Sequence, residues 1–136
     1  MPALYLDIDG VLLTRKQQMP EGVVAFLNFA LAHFDCYWLT THCKGNAQTA
    51  LRYLAATYPA AEIEKLRSVK PTDWDALKTE GIVLTNDFYW VDDYAFEAEK
   101  NILKACGKLD RLIMCDLNQV MELAKIRDFL QERLAK

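Results

Sequence analysis

Asp7 and Asp9 stand one residue apart at the end of the apolar run Leu4-Tyr5-Leu6, and Gly10 follows at once. A run of this kind reads as a buried strand, and the glycine reads as its end. In an open α/β sheet the carboxyl ends of the strands face the crevice where ligands bind. Two carboxylates held there repel each other unless a cation lies between them. Oxygen donors suit a hard divalent ion, and Mg²⁺ is the expected one. A calcium loop of the EF-hand kind needs further oxygen ligands and a closing Glu. Val11, Leu12 and Leu13 follow instead, which removes that reading.

Two further groups repeat the placement of polar side chains at the ends of apolar runs, and a lysine stands between them just before a helical pattern. Cys36-Tyr37-Trp38-Leu39 leads into Thr40-Thr41. Lys70 precedes Pro71. Phe88-Tyr89-Trp90-Val91 leads into Asp92-Asp93. In chain order this is Asp-x-Asp, Thr, Lys, Asp-Asp, and in that order and spacing the chain resembles the haloacid dehalogenase-like superfamily over nearly its whole length. Receiver domains of response regulators use similar side chains around Mg²⁺. Their lysine follows the threonine on the last strand, whereas here an acidic pair comes after the lysine.

The resemblance implies a phosphatase that works through an aspartyl-phosphate, and the chemistry assigns roles. Asp7 would be the nucleophile. Asp9 would protonate the leaving oxygen and then activate water; by resemblance its main-chain carbonyl also ligates the metal. Thr40 would donate to a phosphate oxygen, with Thr41 as the open alternative. Lys70 would steady Asp7 and the phosphate as a point charge, with Lys78 as its rival. Asp92 would bind the metal directly, and Asp93 directly, through water or by orienting a neighbour. His42 and Cys43 follow the threonines; His42 could touch substrate, and Cys43 lacks a base partner that would make it a nucleophile. His33, His42 and the cysteines lack the ligand spacing of a zinc site.

The elements that must carry these groups alternate between strand and helix. Pro20 to Phe34 reads as a helix with Val23, Phe26, Leu27, Ala30 and Leu31 on its apolar face. Asn46 could cap a helix running to about Tyr58. Ala60 to Val69 fits a helical period, although a short strand could end near Val69. Thr72-Asp73-Trp74-Asp75 resembles a capping box for a helix that Gly81 would stop. A helix from about Tyr94 to Cys106 stops at Gly107. Leu112 to Cys115 reads as a last strand, and Val120, Leu123, Ile126, Leu130 and Leu134 form the stripe of a terminal helix. This alternation implies an α/β fold: a Rossmann-like three-layer α/β/α sandwich around a central, mostly parallel sheet of about five strands.

The 136 residues suit one domain, 1–136, large enough to hold itself together without staples. The net charge of −3 and the lack of a basic run argue against broad attraction to nucleic acid or to a membrane surface. Four cysteines without a C-x-x-C pair, no leader pattern and no apolar run of membrane length fit a cytoplasmic setting. The 30 positions from Gly10 to Thr40 hold one helix, and the gap from the threonines to Lys70 is similar, so neither has room for a cap domain. An open crevice suits a bulky phosphorylated substrate, or an enzyme whose lid comes from a partner subunit. Thr14 to Gln18 could form a short flap whose Arg15 and Lys16 meet a phosphate. Two other functions fit the same motifs: a binding or regulatory module that turns over little, and a nucleic-acid end phosphatase, against which the acidic balance counts.

Overall fold

The computed structural model describes residues 1–136. Four strands form one sheet: β1 (Ala3–Leu6), β2 (Asp35–Trp38), β3 (Phe88–Asp92) and β4 (Leu112–Met114). Their order is β2-β1-β3-β4 and every pairing is parallel. Five helices complete the α/β fold: α1 (Val23–His33), α2 (Ala47–Ala55), α3 (Ala60–Lys65), α4 (Glu97–Ala105) and α5 (Glu122–Leu134). No helix is long and apolar enough to cross a membrane.

Successive strand side chains point to opposite faces, and both faces are covered. Leu4, Leu6, Cys36, Trp38, Tyr89 and Val91 join the larger core with apolar residues of α1, α2, α3 and α5. Tyr5, Phe88 and Trp90 join a smaller core with Ile82 and with Leu103 of α4. This two-sided burial explains why β1 and most of β3 are continuous apolar runs rather than alternating ones. All four cysteines are free thiols, and three of them are buried.

The sheet has four strands rather than five. The chain near Val69 makes only a single bridge, Tyr37 with Lys70, on the outer side of β2. A 3₁₀ turn over Leu66–Ser68 precedes that bridge, and Pro71 follows it with no N–H to extend a ladder. The helix expected over Thr72–Gly81 is also absent. The Thr72 hydroxyl donates to the carbonyl of Trp38 instead of capping a helix. Glu80 Oε1 accepts from the main-chain N–H groups of Asp75 and Ala76, and only a 3₁₀ turn over Lys78–Gly81 forms.

The remaining helices lie close to expectation. Asn46 caps α2 by accepting from Gln48 N at 2.9 Å, though the helix ends at Ala55. Gly22 delays the start of α1 because its φ of 76° is left-handed. In α5 the residues Leu123, Ile126 and Leu130 are buried, whereas Val120 lies before the helix and is exposed.

Candidate active site

The carboxyl ends of β1 and β3 lie side by side. Asp7 follows β1 directly, and its N–H donates to Val91 O at 3.2 Å, which carries the ladder one residue past the strand. Asp92 is the last residue of β3 and is buried, as is Asp7. Lys78, from the 3₁₀ turn, reaches both: its Nζ lies 2.6 Å from Asp92 Oδ2 and 3.4 Å from Asp7 Oδ2. Trp90 Nε1 donates to Asp92 Oδ2, and Tyr94 N donates to Asp92 Oδ1. Asp93 completes a triad with Asp7 and Asp92, in which one carboxylate oxygen from each lies within 4.8 Å of the others.

Gly10 makes this closeness possible. A Cβ there would lie 2.2 Å from Asp93 Oδ2, and the glycine's φ of +82° is itself left-handed. The turn after β1 therefore passes against Asp93 only because no side chain intervenes.

Three carboxyl groups crowd around one ammonium. Burial pushes the Asp7 carboxyl above its ordinary range, against the lowering effects of Lys78, Asp92, the Ile8 main chain and Thr40. Burial, and then the charge of Asp7, push Asp92 up to about 7 despite Lys78. Asp93 is also raised, first by burial and then by Asp92. Burial pulls the Lys78 ammonium down, but Asp7 and Asp92 outweigh it and hold the group above its ordinary value. Three carboxylates thus share one ammonium, and their oxygen-only donor set fits a hard divalent ion.

The other expected residues fall as follows. Thr40 is fully buried and Thr41 is exposed, so Thr40 is the hydroxyl turned inward beside Asp7. Its Oγ1 accepts from His42 N at 3.3 Å, which leaves its proton free to donate. Lys70 is not in the cluster. Its main chain sits on the sheet edge and its exposed ammonium lies over the Tyr37 ring, 5.5 Å from the centroid. The lysine of the site is Lys78. Asp9 sits at the exposed mouth of the site, outside the carboxylate triad. Cys43 is buried and its thiol points at Thr72 O, as a packing group would.

Tyr53 and Glu99 escape a reading of motifs alone, and His42, singled out there as a possible substrate contact, meets Asp9 instead. Tyr53 of α2 donates to Asp9 Oδ1 at 2.6 Å, and the hydrogen bond to Asp9 holds its phenol above the ordinary range. His42 Nε2 lies 2.8 Å from Asp9 Oδ2. Buried Glu99 of α4 accepts from Lys78 N at 2.7 Å and from Phe96 N at 2.8 Å, so it fixes the turn that delivers Lys78. Tyr53 was visible only as part of a helical pattern. Glu99 was legible as an acid in the first turn of a helix, but its link to Lys78 was not.

A cleft of about 900 Å³ opens beside Asp9, Gly10 and Asp93. Thr14 to Gln18 form one wall, with Arg15 and Lys16 exposed, and Met114 to Asn118 form the other. Comparison of the chain with protein-family models, with curated proteins and with solved structures finds no match.

Proposed function

We propose that the chain is a capless, Mg²⁺-dependent phosphatase of the haloacid dehalogenase-like superfamily. The observation that carries this reading is the buried Asp7–Asp92–Lys78 cluster, with Asp93 beside it, at the ends of adjacent parallel strands. Asp7, Asp92 and Asp93 would hold the metal. When bound, the ion would offset the negative charge of a phosphoryl group beside Asp7.

The chain's own residues supply the rest. An Asp7 oxygen attacks phosphorus and forms an acyl phosphate as the bond to the ester oxygen breaks. Asp9, as the carboxylic acid, gives its proton to that leaving oxygen. The Asp9 carboxylate then takes a proton from water, which attacks phosphorus. This releases inorganic phosphate, restores the Asp7 carboxylate and leaves Asp9 protonated again. Lys78 keeps Asp7 ionised and oriented, and Thr40 donates to a phosphoryl oxygen. The open cleft and its exposed Arg15 and Lys16 suit a bulky phosphorylated substrate.

The test is hydrolysis of a panel of phosphate esters, from small metabolites to phosphopeptides and end-phosphorylated oligonucleotides, with Mg²⁺ and with chelator. Turnover that needs Mg²⁺ and vanishes in Asp7→Asn is the expected result. Full activity in Asp7→Asn would overturn the proposal. Metal binding without turnover on any ester would favour a binding or regulatory module built on the same cluster.

A further inference from the structure

Asp9 is the exposed carboxylate of the site, and an exposed side chain ordinarily samples several rotamers. Here both of its oxygens are taken by side chains from elsewhere in the chain. Tyr53 OH donates to Oδ1 at 2.6 Å, and His42 Nε2 lies 2.8 Å from Oδ2. The two partners also brace each other, because their rings stack with centroids 3.6 Å apart and planes 12° from parallel. His42 is held in turn by its N–H to Thr40 Oγ1. Tyr53 is held by α2, and its hydroxyl lies 3.2 Å from Gln17 Oε1 at the end of the flap. Gln17 is anchored a second time, its carbonyl accepting from the Thr57 hydroxyl just beyond the end of α2.

We infer that Tyr53 and His42 are positioning residues that hold the Asp9 carboxyl in one orientation toward the leaving oxygen of the substrate. The inference rests on the phosphatase reading above and adds two residues to it. Neither residue touches the phosphoryl group; both act through Asp9. A carboxyl at the mouth of an open cleft has no cap domain to press it into place. The stacked pair does that work from within the domain, and Gln17 ties the flap to the same hydroxyl. A misplacement of about 1 Å in a catalytic group can cost on the order of 100-fold in rate, so the arrangement has a measurable consequence.

An acid is needed most when the leaving oxygen is a poor leaving group. Mg²⁺-dependent hydrolysis of an alkyl phosphate and of p-nitrophenyl phosphate by Tyr53→Phe, Asp9→Asn and the double variant therefore tests the role. Tyr53→Phe should lower kcat on the alkyl ester by about 10- to 100-fold, lower it on the nitrophenyl ester by no more than that, since only water activation needs Asp9 there, and change KM little on either. The double variant should be no slower than Asp9→Asn alone, since a residue that acts only through Asp9 has nothing left to position. His42→Asn should follow the pattern of Tyr53→Phe. No loss on either ester, or additive loss in the double variant, would overturn the inference while the phosphatase reading stood. A wild-type protein inert on every ester of the panel above, or an Asp7→Asn protein as active as wild type, would remove the phosphatase reading and this inference together.

Discussion

Replacing Lys78 by Met should destabilise the metal-free protein strongly at alkaline pH and weakly at acid pH. The ammonium lies 2.6 Å from Asp92 Oδ2 and 3.4 Å from Asp7 Oδ2, and its side chain is only 14% exposed. At an effective dielectric of about 20, the gross attractions are roughly 6 and 5 kcal/mol. Desolvation of the ammonium takes back much of that sum. Removing one partner of a buried pair costs about 3–5 kcal/mol net. For a chain of this length each kcal/mol is worth about 3.5 °C, so Tm should fall by roughly 10–17 °C at pH 8. At pH 5 the abandoned carboxyls can take up protons, because Asp7 and Asp92 are already pushed upward. The loss there should be less than half as large. Lys78 itself stays protonated across this range, its ammonium being held above its ordinary value. Circular-dichroism melts in chelator at the two pH values make the measurement, with Lys70→Met as the control. That lysine is exposed on the sheet edge, and its loss should change stability by no more than about 0.5 kcal/mol. Equal shifts for the two variants, or a Lys78→Met protein as stable as wild type at pH 8, would refute the electrostatic account of the cluster.

Asp92 gives the metal-free protein its own pH dependence. Its folded-state value near 7 is raised, so its contribution is complete below the unfolded carboxylate range, near pH 4, and is lost as pH rises through about 7. Saturating Mg²⁺ should abolish that loss, and calorimetry in buffers of different ionisation heat should show proton release on binding near pH 6 that disappears by about pH 9. Gly10→Ala should cost about 1–2 kcal/mol for its left-handed backbone and should also weaken Mg²⁺ binding by displacing Asp93; Gly22→Ala, with a φ of +76° and nothing within 4 Å of its added Cβ, should carry the first cost without the second. On the proposed phosphatase reading, Thr40→Val should lower kcat by about 100-fold as a lost donor to the phosphoryl oxygens, whereas the exposed Thr41→Val should stay within about twofold, as paired assays with a phosphate ester would read.

The fold was legible where a residue's type alone decided the outcome. Two-sided burial made β1 and β3 continuous apolar runs, Asn46 announced the start of α2, and Gly107, with its φ of 73°, marks the stop after α4. Legibility failed where a tertiary contact redirected a local signal. The residues around Thr72 look like a capping box, but the Thr72 hydroxyl donates to Trp38 O and the helix never forms. That single error hid the site lysine. On a helix Lys78 would have been one more solvated charge, and on the 3₁₀ turn it points at Asp7 and Asp92. Lys70 gained its false promise from the proline after it, which marks the end of a stunted strand. The acids and Thr40 were readable because each follows an apolar run directly. Tyr53 and Glu99 were not, and His42 was noticed without its partner, since the partners of the three lie 44, 21 and 33 positions away.

The bridge at Lys70 also bears on what the edge of the sheet offers to another chain. β2 is an outer strand of the sheet, and an outer strand offers free main-chain groups on which another chain can build. Lys70 N donates to Cys36 O and Trp38 N donates to Lys70 O, so this one residue takes up the hydrogen-bonding groups in the middle of that edge. The exposed charge of Lys70 and the missing N–H of Pro71 then discourage a further strand from adding on top. At the opposite edge β4 is only three residues long, too short to template an extended pairing. The chain therefore carries an open, parallel sheet with neither border suited to aggregation by strand addition.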